Sequence, residues 1–71
     1  MAREIIYPHG TELTPDWRPI ATAPHDGVPV RVGWVWGGSL RREADSHWSV
    51  AGGVPHWDGV GGYPTHWRPA S

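Results

Sequence analysis

Five histidines, His9, His25, His47, His56 and His66, together with four serines and seven acidic residues, are the groups in this 71-residue chain that could bind a metal, relay a proton or attack a carbonyl. A zinc site built without cysteine needs three or four imidazoles or carboxylates converging at about 2.0–2.2 Å, ordinarily with two on one rigid element, as in H-x-x-x-H on a helix. The sequence holds no such close pair, and His47, His56 and His66 each precede a tryptophan. If each Trp points inward along a strand, its His neighbour points outward. These imidazoles are therefore read as surface or turn residues, and no metal site is expected.

Nucleophilic chemistry has less support still. No serine lies in a G-x-S-x-G elbow, and Gly52-Gly53 and Gly59-x-Gly61-Gly62 lack the following Lys and helix that a phosphate loop requires. Asp16, Asp26, Asp45 and Asp58 mostly adjoin turns, where carboxylate hydrogen bonds to the backbone account for them. No catalytic residue, no cofactor-binding residue, no cofactor and no enzymatic activity are expected.

The elements that would position any such groups follow from composition. Six Trp (17, 34, 36, 48, 57 and 67) and seven Val stand against two Leu, three Ile and no Phe, so the core of so small a domain must be Trp and Val. Ten Gly and eight Pro disfavour long helices and favour short strands with tight turns. A formal charge of −1 with no Lys lacks the basic footprint of a nucleic-acid binder. No apolar run reaches the length of a signal peptide or a membrane span, which leads to the expectation of a cytoplasmic protein with neither nucleic acid nor membrane as partner.

Along the chain, residues 1–15 read as an N-terminal arm: Ile5, Ile6 and Tyr7 are β-favouring, but Pro8, Gly10 and Pro15 break the rest of this segment into turns. Residues 16–71 read as one small all-β domain of three to five short antiparallel strands. Within it, VPVRVGWVW (28–36) alternates, with Val28, Val30, Val32, Trp34 and Trp36 on one face, and Gly37-Gly38 supplies a two-residue hairpin loop to a return strand at 39–43. That register puts Leu40 opposite Val35 and Arg41 opposite Trp34, with a helical turn over 41–45 as the alternative. HWSVAGG, HWDGVGG and a final HW form an imperfect repeat of short segments, each carrying one Trp inward.

A binding role is the function this pattern favours. Ile5, Ile6 and Tyr7 are too apolar for a free tail, and Arg41 and Arg42 offer charged hydrogen bonds beside aromatic area. A protein partner bound to the arm, or self-pairing of the arm in a homo-oligomer, resolves that mismatch. Trp57, in the most Gly-rich stretch, is expected to be the exposed tryptophan. The alternative is a small-ligand or glycan binder using exposed Trp with nearby Asp and His, for which HWDGVGG is the local candidate.

Two motifs carry a resemblance. Trp17-Arg18-Pro19-Ile20-Ala21-Thr22-Ala23-Pro24-His25-Asp26-Gly27 and Pro64-Thr65-His66-Trp67-Arg68-Pro69 resemble the opening W-x-P-I-x-T-A-P-x-D-G and closing P-T-H-W-x-P of a family of short phage and prophage proteins of unknown function. The resemblance implies a phage or prophage origin and an accessory role, towards a host factor or within a virion. The doubled Trp-Arg-Pro suggests that the two motifs lie side by side, with Trp17 meeting Trp67 in one aromatic cluster that ties the domain shut.

Overall fold

In the computed structural model, which describes residues 4–70, the chain is all β apart from two short 3₁₀ turns. The strands are β1 (Glu4–Thr11), β2 (Arg18–Pro19), β3 (Val30–Trp36), β4 (Ser39–Ser46), β5 (Trp48–Ser49), β6 (His56–Trp57) and β7 (His66–Pro69). Five form an antiparallel sheet in the order β1-β4-β3-β7-β2, and β5 pairs with β6 in a separate ribbon.

The centre of the sheet is the expected hairpin. Gly37 and Gly38 take φ of 61° and 78°, the two successive left-handed positions that match the twist of the flanking strands. Leu40 lies opposite Val35 as expected, but a register shift follows at once, so that Arg42, not Arg41, stands opposite Trp34. Arg41 is the extra residue of a bulge, and its Nε donates to the Trp36 carbonyl across the hairpin mouth. Residues 41–45 are strand, and β4 runs on to Ser46.

The two faces of the sheet differ. On one, Val30, Val32, Ala44 and Trp67 are buried beneath Trp57, Ala23 and the 3₁₀ turn Ile20–Thr22, with Ile20, Trp48 and Val60 packed around them. This is the Trp and Val core. The ribbon is tied to the sheet by Ser46, whose Oγ donates to the Asp58 carbonyl at 2.7 Å. On the opposite face Trp17 and Leu40 close over Gly33, and an ionic network centred on Glu43 covers the rest.

Gly33 is required there for space. A Cβ at this position would stand 2.8 Å from Leu40 Cδ1 and 2.8 Å from Trp17 Cζ3. Gly33→Ala is expected to cost about 1–3 kcal/mol by overpacking, read as a lowered urea midpoint with unchanged slope. An unchanged midpoint would show that Trp17 is not seated on Gly33.

The segment read as an arm is a strand from Glu4 onward, and residues 1–3 of it lie outside the described residues. Glu4, Ile5 and Ile6 pair with Ala44, Glu43 and Arg42; the register then shifts, and Thr11 pairs with Leu40. Pro8 and Gly10 do not end the strand, because they sit in the arch between those two stretches of pairing. Gly10 has φ of 77° and its Cα faces Ser39 so closely that a Cβ would come within 2.8 Å, so only glycine lets β1 return to the sheet.

Candidate functional site

Pairing across the register fixes which residues share a face. Ile6 on β1, Arg42 on β4 and Trp34 on β3 are direct neighbours in a row across three strands on the core face, with Trp34 packed against the margin of the core. The Arg42 guanidinium lies over the Trp34 ring, 4.1 Å from its centroid, and its Nη2 pairs with Glu4. Two residues past Trp34, Trp36 is 77 % exposed, and Ile6 at the outer end of the row is 62 % exposed. The row is continuous with the free edge of β1, the longest edge strand of the sheet.

The residues singled out from the sequence divide accordingly. Ile6 and Arg42 come together in this row. Ile5 is exposed but faces the other side of the sheet, opposite Glu43. Tyr7 is anchored, its hydroxyl donating to Glu43 Oε1. Arg41 is spent on the hairpin. Trp57 is a correction: it is 6 % exposed and part of the core, because it pairs with Trp48 across the ribbon and both rings turn inward. The exposed tryptophan is Trp36, which simple alternation assigned to the buried face. Its strand outruns the ribbon and Ile20–Thr22, so nothing covers it.

On the opposite face an open cleft of about 430 Å³ is walled by Tyr7, Thr11, Asp16, Trp17, Glu43 and Arg68. Its polar groups already serve one another. Arg31 reaches Glu43 at 3.0 Å and Asp45 at 2.6 Å, and Arg68 reaches Asp16 at 3.1 Å and Glu43 at 3.7 Å. Burial pushes the Glu43 carboxyl up, but the hydrogen bonds from Tyr7 and Arg31 and the charges of Arg31 and Arg68 outweigh it and hold the group below the usual glutamate range. The same bond to Glu43, then burial and the carboxylate's charge, raise Tyr7 above an ordinary phenol. The Thr14 hydroxyl, with Arg68, holds Asp16 low. Among these groups the buried Arg68 Nε is left without a hydrogen-bond partner.

The doubled Trp-Arg-Pro does lie side by side: Arg18 pairs with Trp67 and Pro19 with His66. Trp17 and Trp67 nevertheless do not meet. Partners in an antiparallel pair share a face and sequence neighbours do not, so Trp67 and Arg18 point to the core face while Trp17 and Arg68 point to the other. Each arginine instead covers the other motif's tryptophan, Arg18 over Trp67 at 5.3 Å and Arg68 over Trp17 at 5.1 Å from the ring centroids. The echo is one cross-strand Trp–Arg pair written twice, once per face.

The histidines are also better ordered than the sequence indicates. His25 stacks on Trp48 with centroids 4.0 Å apart. His47 and His56 both face Asp58, their Nε2 atoms 4.0 and 3.9 Å from its two carboxylate oxygens. The signal that could have found this was present: pairing the two His-Trp copies against each other puts His47 beside Asp58. Comparison of the chain with protein-family models, with curated proteins and with solved structures finds no match.

Proposed function

We propose that this protein is a non-catalytic binding module that captures an extended segment of another protein along the free edge of β1. The single observation that carries this reading is the row Ile6–Arg42–Trp34, which opens directly onto that edge with Trp36 beside it. An unpaired edge offers main-chain hydrogen bonds to an added strand, and adjoining apolar and Trp/Arg surface provides anchorage for its side chains. The edge is only partly guarded: Pro8 removes one donor, whereas Glu4 through Tyr7 remain continuous strand. The motifs at 17–27 and 64–69 support placing this binding in a phage or prophage accessory protein, in the bacterial cytoplasm or on the virion, acting on a host factor or in assembly. The glycan reading loses its local candidate with the burial of Trp57.

The test uses strands selected from a random peptide library against the whole protein. Ile6→Lys is expected to weaken their binding at least roughly tenfold, about 1.4 kcal/mol, while the melting temperature stays within a few degrees because Ile6 is 62 % exposed. Hydrogen exchange in the complex should slow at the amides of β1. Equal binding by the lysine variant, protection confined to another edge, or a concentration-dependent homodimer occupying β1 would each overturn the proposal.

A further inference from the structure

A strand added to β1 meets both of its faces at once. Strand residues alternate between faces, so Ile6 stands on the core side and Ile5, opposite Glu43, on the other; they are 62 and 43 % exposed. None of the eight residues of β1 is buried, and these two isoleucines are the large apolar side chains it leaves open. A segment paired alongside buries both only if it is apolar at two consecutive positions, one for each face. Alternating apolar and polar residues, the pattern of a strand with one wet face, would cover one isoleucine and leave the other beside a polar neighbour.

The charge around β1 is one-sided. The strand EIIYPHGT carries neither Lys nor Arg, and lysine is the commonest guard of an exposed edge. Glu12 follows it directly and is exposed. The 430 Å³ cleft on the Ile5 side is walled by Tyr7 and Thr11 of β1 and by the carboxylates of Glu12, Asp16 and Glu43, against the guanidinium of Arg68. With Arg31 and Asp45, which continue the network behind Glu43, four carboxylates stand against two guanidiniums. Hydrogen bonds and the arginine charges hold Glu43 and Asp16 low, so both are ionised at neutral pH and the face keeps its negative excess beside the edge.

We infer that the segment captured on β1 carries two adjacent apolar residues, seated on Ile5 and Ile6, and an arginine or lysine whose head group enters the acidic cleft. The inference rests on capture at the free edge of β1. Ile5 and Tyr7 share the cleft face, the Tyr7 hydroxyl reaching the Glu43 that lies opposite Ile5. Every second side chain of the added strand therefore stands on that face. A long basic one lays its methylenes along Tyr7 and sets its charge beside Glu12 and Asp16. In antiparallel pairing, the more stable mode per residue, the segment meets Glu12 before Ile6 and Ile5, so the base precedes the apolar pair. An acid in its place is repelled, which selects the direction of the segment as well as its composition.

The experiment takes peptides selected from a random library against the full chain, reads their sequences, and measures their affinity by calorimetry at about 0.05 and 0.5 M sodium chloride. The selected peptides should share an adjacent pair of aliphatic or aromatic residues preceded by Arg or Lys. Ile5→Gln is expected to weaken binding at least roughly fivefold and Glu12→Lys at least roughly tenfold. Both side chains are exposed, so the melts should match the parent. Exchanging the peptide's base for glutamate should restore affinity for the Glu12→Lys variant, and salt should weaken binding to the parent more steeply than to Glu12→Gln. Three results would each overturn this inference while leaving edge capture standing, provided Ile6→Lys still weakens binding: peptides that strictly alternate apolar and polar residues, acids where the base is expected, or full affinity for Ile5→Gln or Glu12→Lys. Peptides indifferent to Ile6→Lys would overturn both.

Discussion

Replacing Trp67 by alanine is expected to leave the domain largely unfolded at 25 °C. The indole is 8 % exposed, lies opposite Val32 on β3, and is covered by Arg18 from β2. Its Nε1 also donates to Thr22 Oγ1 at 3.0 Å, pinning the 3₁₀ turn that roofs the core. Truncation therefore loses apolar burial and opens a cavity, about 3–5 kcal/mol together. A domain of this length has roughly 4–10 kcal/mol in all. Trp34, partly buried at the core margin under Arg42, should cost less. A cooperative urea or thermal transition for the Trp67 variant within a few degrees of the parent would contradict the assignment of Trp67 to the core.

Glu43→Ala is expected to cost about 3 kcal/mol, because it strips a carboxylate that is 7 % exposed from two arginines and a phenol that remain behind. The pH dependence follows from the directions of the shifts. The Glu43 value is lower folded than unfolded, so its contribution is complete above the ordinary glutamate value of about 4.3 and drains as pH falls through the folded value below it. Tyr7 is raised, so its contribution is present below about 10 and lost as pH climbs through the higher folded value. Stability should fall at both extremes. Glu43→Gln should flatten the acid limb in melts recorded from about pH 5 downward, and an acid limb of unchanged steepness would refute the role given to Glu43.

Local pattern made the sheet's centre legible. Alternation over residues 30–36 and the Gly37-Gly38 pair place the hairpin, since both express backbone geometry within a few residues. The bulge at Arg41 was not legible, because counting back from a turn assumes that no residue is skipped, and the one skipped residue exchanged the roles of Arg41 and Arg42. β1 was obscured for a related reason: Pro8 and Gly10 stop a regular strand but allow an arched one. The burial of Trp57, the separation of Trp17 from Trp67 and the meeting of His47 with Asp58 all depend on which segments pair. The repeats pointed to that pairing, but facing required the antiparallel register, which places sequence neighbours on opposite sides.

The reciprocal Trp–Arg crossing at β2 and β7 also bears on how long the folded state lasts. The β3–β4 hairpin closes through two residues and can form within microseconds, whereas Arg68 and Asp16 come together from 52 residues apart. Contacts that distant carry the largest loop-closure entropy and are made late. Interactions absent from the transition state do little for the speed of folding and much for the slowness of unfolding. The twice-written motif is therefore expected to act as a kinetic latch, lengthening the lifetime of the closed sheet more than it speeds its formation.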